Sequence, residues 1–132
     1  MRKPDWSMRL TEVMTQAQHI PFSWGEHDCC VFAAACSIAV CDIDPLKEYR
    51  GHYHTELGAK RALAARHGSL TALFDDCFAQ IPPERAQRGD IVLMKTDQGD
   101  AAGVVWGTGI WAVTPSGVGP VGHEPVLAWR VE

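Results

Sequence analysis

The chain has 132 residues, 46% of them apolar and 21% charged, with a formal net charge of −4. That length suits one domain with a real core, over residues 1–132, and that composition excludes a disordered chain. The lack of any basic run argues against nucleic acid or an anionic membrane surface as a partner, and no apolar run is long enough to span a bilayer. The first residues lack the charged, apolar and small-residue order of a secretory leader, so the chain is expected to be made and first used in the cytoplasm.

Trp6, Leu10, Val13, Met14 and Ala17 recur at helical spacing behind Asp5, which predicts an amphipathic helix over about 6–18 with Asp5 as its cap. His19 to Gly25 is a loop punctuated by Pro21 and Gly25. Asp28 then caps a helix from Cys29 to about Val40 that is apolar all round except for Ser37, the pattern of a central helix. Asp42-Ile-Asp-Pro45 is expected to end it, since Pro is disfavoured in the next turn.

Cys29 and Cys30 fall in the first turn, where unpaired N–H groups and the helix dipole favour a thiolate, the usual placing of a nucleophilic cysteine. Two small side chains packing at the start of a core helix would look the same. The other cysteines are Cys36, Cys41 and Cys77. Cys29 and Cys36 share a face but lie about 10 Å apart along the axis, beyond disulfide reach, and no C-x-x-C pair is present. Five free thiols are expected.

Leu46–His54 reads as a loop with a short helical turn. Thr55 caps a helix carrying Leu57, Leu63 and Ala64 that stops at Gly68, and Ser69 caps another with Leu70, Leu73, Phe74 and Cys77 on one side. Ile81 to Arg88 reads as a linker. From Gly89 the composition turns to strands at about 91–94, 103–106, 110–114, 118–121 and 126–131, an antiparallel meander of about five. Helices first and strands second predict an α+β fold with the sheet packed on the central helix.

Pro21-Phe-Ser-Trp-Gly25, then Asp28-Cys29, then Arg88-Gly-Asp-Ile-Val-Leu-Met94 and Gly103-Val-Val-Trp-Gly107, resemble the NlpC-type cell-wall peptidases, a papain-like fold. With Tyr49-Arg50-Gly51 and Ala128-Trp-Arg-Val131 added, the chain is similar to the small stand-alone phage tail proteins of that superfamily. The resemblance implies a structural subunit of a phage tail tip, with other tail proteins as partners, present in the host cytoplasm during assembly and then in the virion tail. It puts Cys29 in the nucleophile's place, aimed at the strand that holds Ala101 and Ala102.

The same resemblance implies a decayed active site. Ala101 stands where active members carry the general base His, Val113 where a polar residue orients that His, and Phe22 where a Tyr hydroxyl lies near the oxyanion. Without a base, acyl transfer by Cys29 lacks a group to move the proton, which typically contributes about 10²–10⁴-fold. The alternative is a working cysteine peptidase or amidase on murein peptides, with His27, two residues before Cys29, as a displaced base whose side chain is expected to point to solvent. His67 and His123 read as structural, and His52-x-His54 as a solvated loop rather than a chelate, so no metal and no cofactor are expected. Trp106 and Trp111 flank a hairpin; with Val105 toward the helix, Trp106 would face outward as an interface anchor, the alternative being a Trp106 covered by the Leu46–His54 loop.

Overall fold

Asp28, in extended conformation, accepts hydrogen bonds from the backbone N–H groups of Cys30 and Val31 and so starts the central helix, α2 (Cys29–Cys41). Phe32, Ala33, Ala34, Cys36, Ala39 and Val40 are buried on it, and the one polar residue, Ser37, satisfies its hydroxyl on the Ile43 carbonyl at 2.7 Å. The helix ends within Asp42–Pro45 as expected, but through Asp42 itself: it takes a left-handed φ of 63° while its N–H still reaches the Ile38 carbonyl. Asp and Asn enter that region at lower cost than most residues, and the proline three residues later finds the helix already closed.

The computed structural model describes residues 1–132, with α1 (Trp6–Ala17) before α2, and α3 (Glu56–Arg66) and α4 (Leu70–Asp75) after it. Leu10, Met14 and Ala17 bury the stripe of α1. Asp5 stands at the N-cap of α1 but its side chain makes no capping hydrogen bond; its carboxylate takes Arg9 Nε at 3.1 Å instead. Thr55 and Ser69 cap α3 and α4 through Gly58 N and Ala72 N. α3 buries no residue fully: Ala59, Ala62 and Leu63 turn inward, while Leu57 is exposed. No helix is long and apolar enough to cross a membrane.

Six antiparallel strands form one open sheet: β1 (Ala79–Ile81), β2 (Ile91–Thr96), β3 (Gly99–Trp106), β4 (Gly109–Thr114), β5 (Gly117–Val121) and β6 (Pro125–Arg130), in the order β1-β6-β2-β3-β4-β5. The fold is α+β, with the sheet on α2 as expected, but the meander is corrected. Only β2 to β5 run as one; β6 crosses back to lie between β1 and β2. β1 is the added sixth strand, with Gln80 paired to Trp129. Three residues are too few to show a period of two, which is why no strand is expected at Ala79–Ile81 from the sequence.

The sheet has two packed faces. Ile91, Leu93, Ala102, Val104, Val113 and Trp129 join α1, α2 and α4 in the main core. Val92, Met94, Ala112 and Ala128 are buried on the other face, with Ala101, Val105 and Ile110 against them. Gly103 makes that second layer possible, because a Cβ there would lie 2.6 Å from Ile110 Cγ2 and 3.0 Å from the Met94 methyl. Both side chains close over the bare backbone.

The two ends of the chain meet at Asp90, which is fully buried. Its carboxylate accepts from Arg2 at 2.9 Å, Arg130 at 3.1 Å, Val131 N at 3.0 Å and Gln87 N at 2.8 Å. Arg2 also donates to the Val131 and Arg88 carbonyls. A buried charge with four donors in place of water pins the N-terminus, the turn before β2 and the end of β6 to one point.

Candidate functional site around Cys29

The side chain that organises the site is Asp28. While Oδ1 caps α2, Oδ2 faces the loops and accepts from Gly25 N at 2.9 Å and the Tyr53 hydroxyl at 2.6 Å. Asp28 is 1% exposed, so these four donors stand in for its lost hydration. Burial, then the hydrogen bond to Asp28, drives the Tyr53 phenol far above its ordinary range, so it remains a donor. Ser23 and His27 exchange backbone hydrogen bonds, and Gly25 between them has φ +84°. Its missing Cβ would lie 2.2 Å from the Tyr53 carbonyl oxygen, so the Leu46–His54 loop packs directly on this turn.

Cys29 is the first residue of α2, at the end of the helix that meets Ala102 of β3. Cys30 Sγ lies 4.0 Å from Cys29 Sγ. Accepting the Cys30 S–H lowers the Cys29 pKa by more than burial raises it, and the Ala102 N–H lowers it further. The same hydrogen bond, together with burial, pushes Cys30 well up. The two thiols therefore titrate as a pair, the first proton lost being shared between the sulfurs.

No imidazole hydrogen-bonds either sulfur. His27 is buried rather than solvent-facing, because the Ser23–His27 turn folds its ring inward, edge-on to Phe32 at 6.3 Å. Burial pushes its pKa down, against the opposing pull of the Ile20 and Pro21 carbonyls and the Asp28 charge, and its Nδ1 has no hydrogen-bond partner. His52, His54 and His123 are exposed. No group of three or more His, Cys, Asp or Glu side chains is placed to hold a metal.

The other residues singled out from the sequence are spread over both faces of the sheet. Val113 lies on the helix side, 6% exposed. Ala101 packs on the far side with Met94 opposite it, and its neighbour Ala102 is the β3 residue beside Cys29. Phe22 is half-buried and meets Trp24 edge-to-face at 5.1 Å. Trp106 does not face outward: the alternation of β3 puts Val105 in the second layer and Trp106 on the helix side, against Trp111 at 5.0 Å.

Two features of this region had no local sequence signal. Tyr53 reaches Asp28 across 25 residues of chain. Tyr49 OH lies 2.6 Å from His67 Nδ1, and His67 Nε2 lies 3.2 Å from Asp76, a chain of hydrogen bonds that fastens the 46–54 loop to the end of α3. Both nitrogens of His67 are thereby engaged. Only the pairing of an αL-type glycine with a buried aromatic far along the chain could have suggested the first, and nothing in the spacing suggests the second.

No curated protein and no solved structure matches the chain. A family model described as Domain of unknown function (DUF6950) matches residues 1–131, and the chain belongs to that family.

Proposed function

We propose that this chain is a papain-like domain of the NlpC type whose peptidase chemistry has decayed, and that it serves as a structural subunit of a phage tail tip, assembled in the host cytoplasm with other tail proteins. One observation carries the loss of chemistry: Cys29 stands at a helix N-terminus, as a nucleophile would, yet the side chain within hydrogen-bond reach of its sulfur is a second thiol, Cys30, at 4.0 Å, and not an imidazole. Neither Cys30 nor Ala102 N–H can accept the thiol proton and return it to a leaving amine. The tail role rests on the five motifs that occur in order along the chain.

The test pairs chemistry with assembly. Muropeptide release from purified sacculi is measured for the wild-type chain, Cys29→Ala and His27→Ala, and phage lacking the chain are complemented with wild type or Cys29→Ala. Inert wild type and full complementation by Cys29→Ala are expected. Release by wild type that Cys29→Ala abolishes would restore the peptidase reading, and its further loss in His27→Ala would make His27 the displaced base.

A further inference from the structure

Neighbouring residues on a helix usually diverge by about 100°, yet the sulfurs of Cys29 and Cys30 converge to 4.0 Å at the start of α2. Both residues are partly exposed. They are not a disulfide in waiting: adjacent Cα atoms stand about 3.8 Å apart, below the usual range for bridged cysteines. Two sulfurs bonded to one soft centre at about 2.3 Å, with an angle between 90° and the tetrahedral value, stand about 3.3–3.8 Å apart. A shift of a few tenths of an ångström would bring this pair to that spacing.

The surroundings supply no third ligand. Asp28, one residue away, has both oxygens taken by four donors, and Tyr53 is committed to Asp28. His67 is held between Tyr49 and Asp76. Zinc, which wants three or four protein ligands, does not fit such a pair. A centre whose remaining valence is already filled does.

We propose that Cys29 and Cys30 act together as one dithiol site for a soft, thiophilic centre that bonds both sulfurs at once, the class represented by trivalent organoarsenicals. The proposal goes beyond the structural role and does not depend on it. With phenylarsine oxide the step is a condensation without redox change: the As=O bond is lost, two As–S bonds form, and the two thiol protons leave with the oxygen as water. Attack begins from one sulfur of the pair, whose charge the neighbouring S–H holds, and the second sulfur closes the ring after giving up its proton.

Phenylarsine oxide is added to the native chain and intact mass is read under non-denaturing conditions. One adduct per chain is expected, removed by a small dithiol and resistant to a monothiol. Cys29→Ser and Cys30→Ser, each checked for folding by circular dichroism, should each bind about a hundredfold more weakly, because the second bond's effective concentration is gone. Cys41→Ser and Cys77→Ser should bind as wild type does. Should either of the first two variants fail to fold, protection of Cys29 and Cys30 from iodoacetamide in the wild-type adduct, read by peptide mapping, replaces it. Absence of an adduct, its persistence in a folded Cys29→Ser or Cys30→Ser, its loss with Cys77→Ser, or protection of other cysteines would overturn the proposal. Muropeptide release is read separately, so neither outcome is confused with the other.

Discussion

The Tyr53 hydroxyl donates to Asp28 Oδ2 at 2.6 Å, joining the 46–54 loop to the cap of the central helix. Tyr53→Phe removes the donor and leaves part of a buried carboxylate unpaired. A loss of about 1–3 kcal/mol is expected, measured by urea denaturation. Asp28→Ala should cost more, since it also removes the cap, worth about 0.5–2 kcal/mol by itself. Equal losses in the two variants would show that the phenol, not the cap, carries the interaction.

Gly103 is where β3 gives room to Ile110 and Met94. Gly103→Ala should overpack the second face of the sheet, at a cost of about 1–3 kcal/mol, because its Cβ would stand 2.6 Å from Ile110 Cγ2. Ile110→Ala, which removes that Cγ2 methyl, should therefore cost less in the Gly103→Ala background than in the wild-type chain. Purely additive effects would mean that the clash is relieved elsewhere.

Asp90→Ala leaves two arginines and two backbone N–H groups without their shared acceptor. Breaking a buried ion pair from one side costs about 3–5 kcal/mol, and the partial exposure of Arg2 and Arg130 places the expectation at the low end of that range. Proteolysis of the variant should begin at its termini, since Asp90 is what binds them together. Cleavage starting in the α3 region would contradict that role.

His27 is held neutral by burial, so its folded pKa lies below the ordinary value of 6.5. The unfolded chain therefore takes up the proton first as pH falls, and ν_U exceeds ν_N in the window from about 6.5 down to the depressed pKa. The stability associated with neutral His27 is complete above that window and declines through it. His27→Leu should flatten the stability–pH curve there, measured by denaturant midpoints at pH 5 and 7.5. An unchanged slope would mean that the ring takes up its proton in the folded chain as readily as in the unfolded one.

What was legible in the sequence was local. Asp28 before an apolar run, Thr55 before α3, Ser69 before α4 and Gly68 after His67 each act within one helical turn, and the structure places helix ends at all four. Short apolar runs separated by glycine and proline turns likewise marked β2 to β6, and the order of helices and strands marked the α+β class. The tertiary structure decided what distant segments do to one another. The return of β6 between β1 and β2, Asp90 as the meeting point of both termini, Trp106 turned to the helix side and His27 folded inward all depend on register and on contacts between residues far apart in the chain, which no local period encodes. The same holds at Cys29. Sequence could place a cysteine at a helix N-terminus, but only the packed chain could bring Cys30 and Ala102, and no imidazole, to its sulfur.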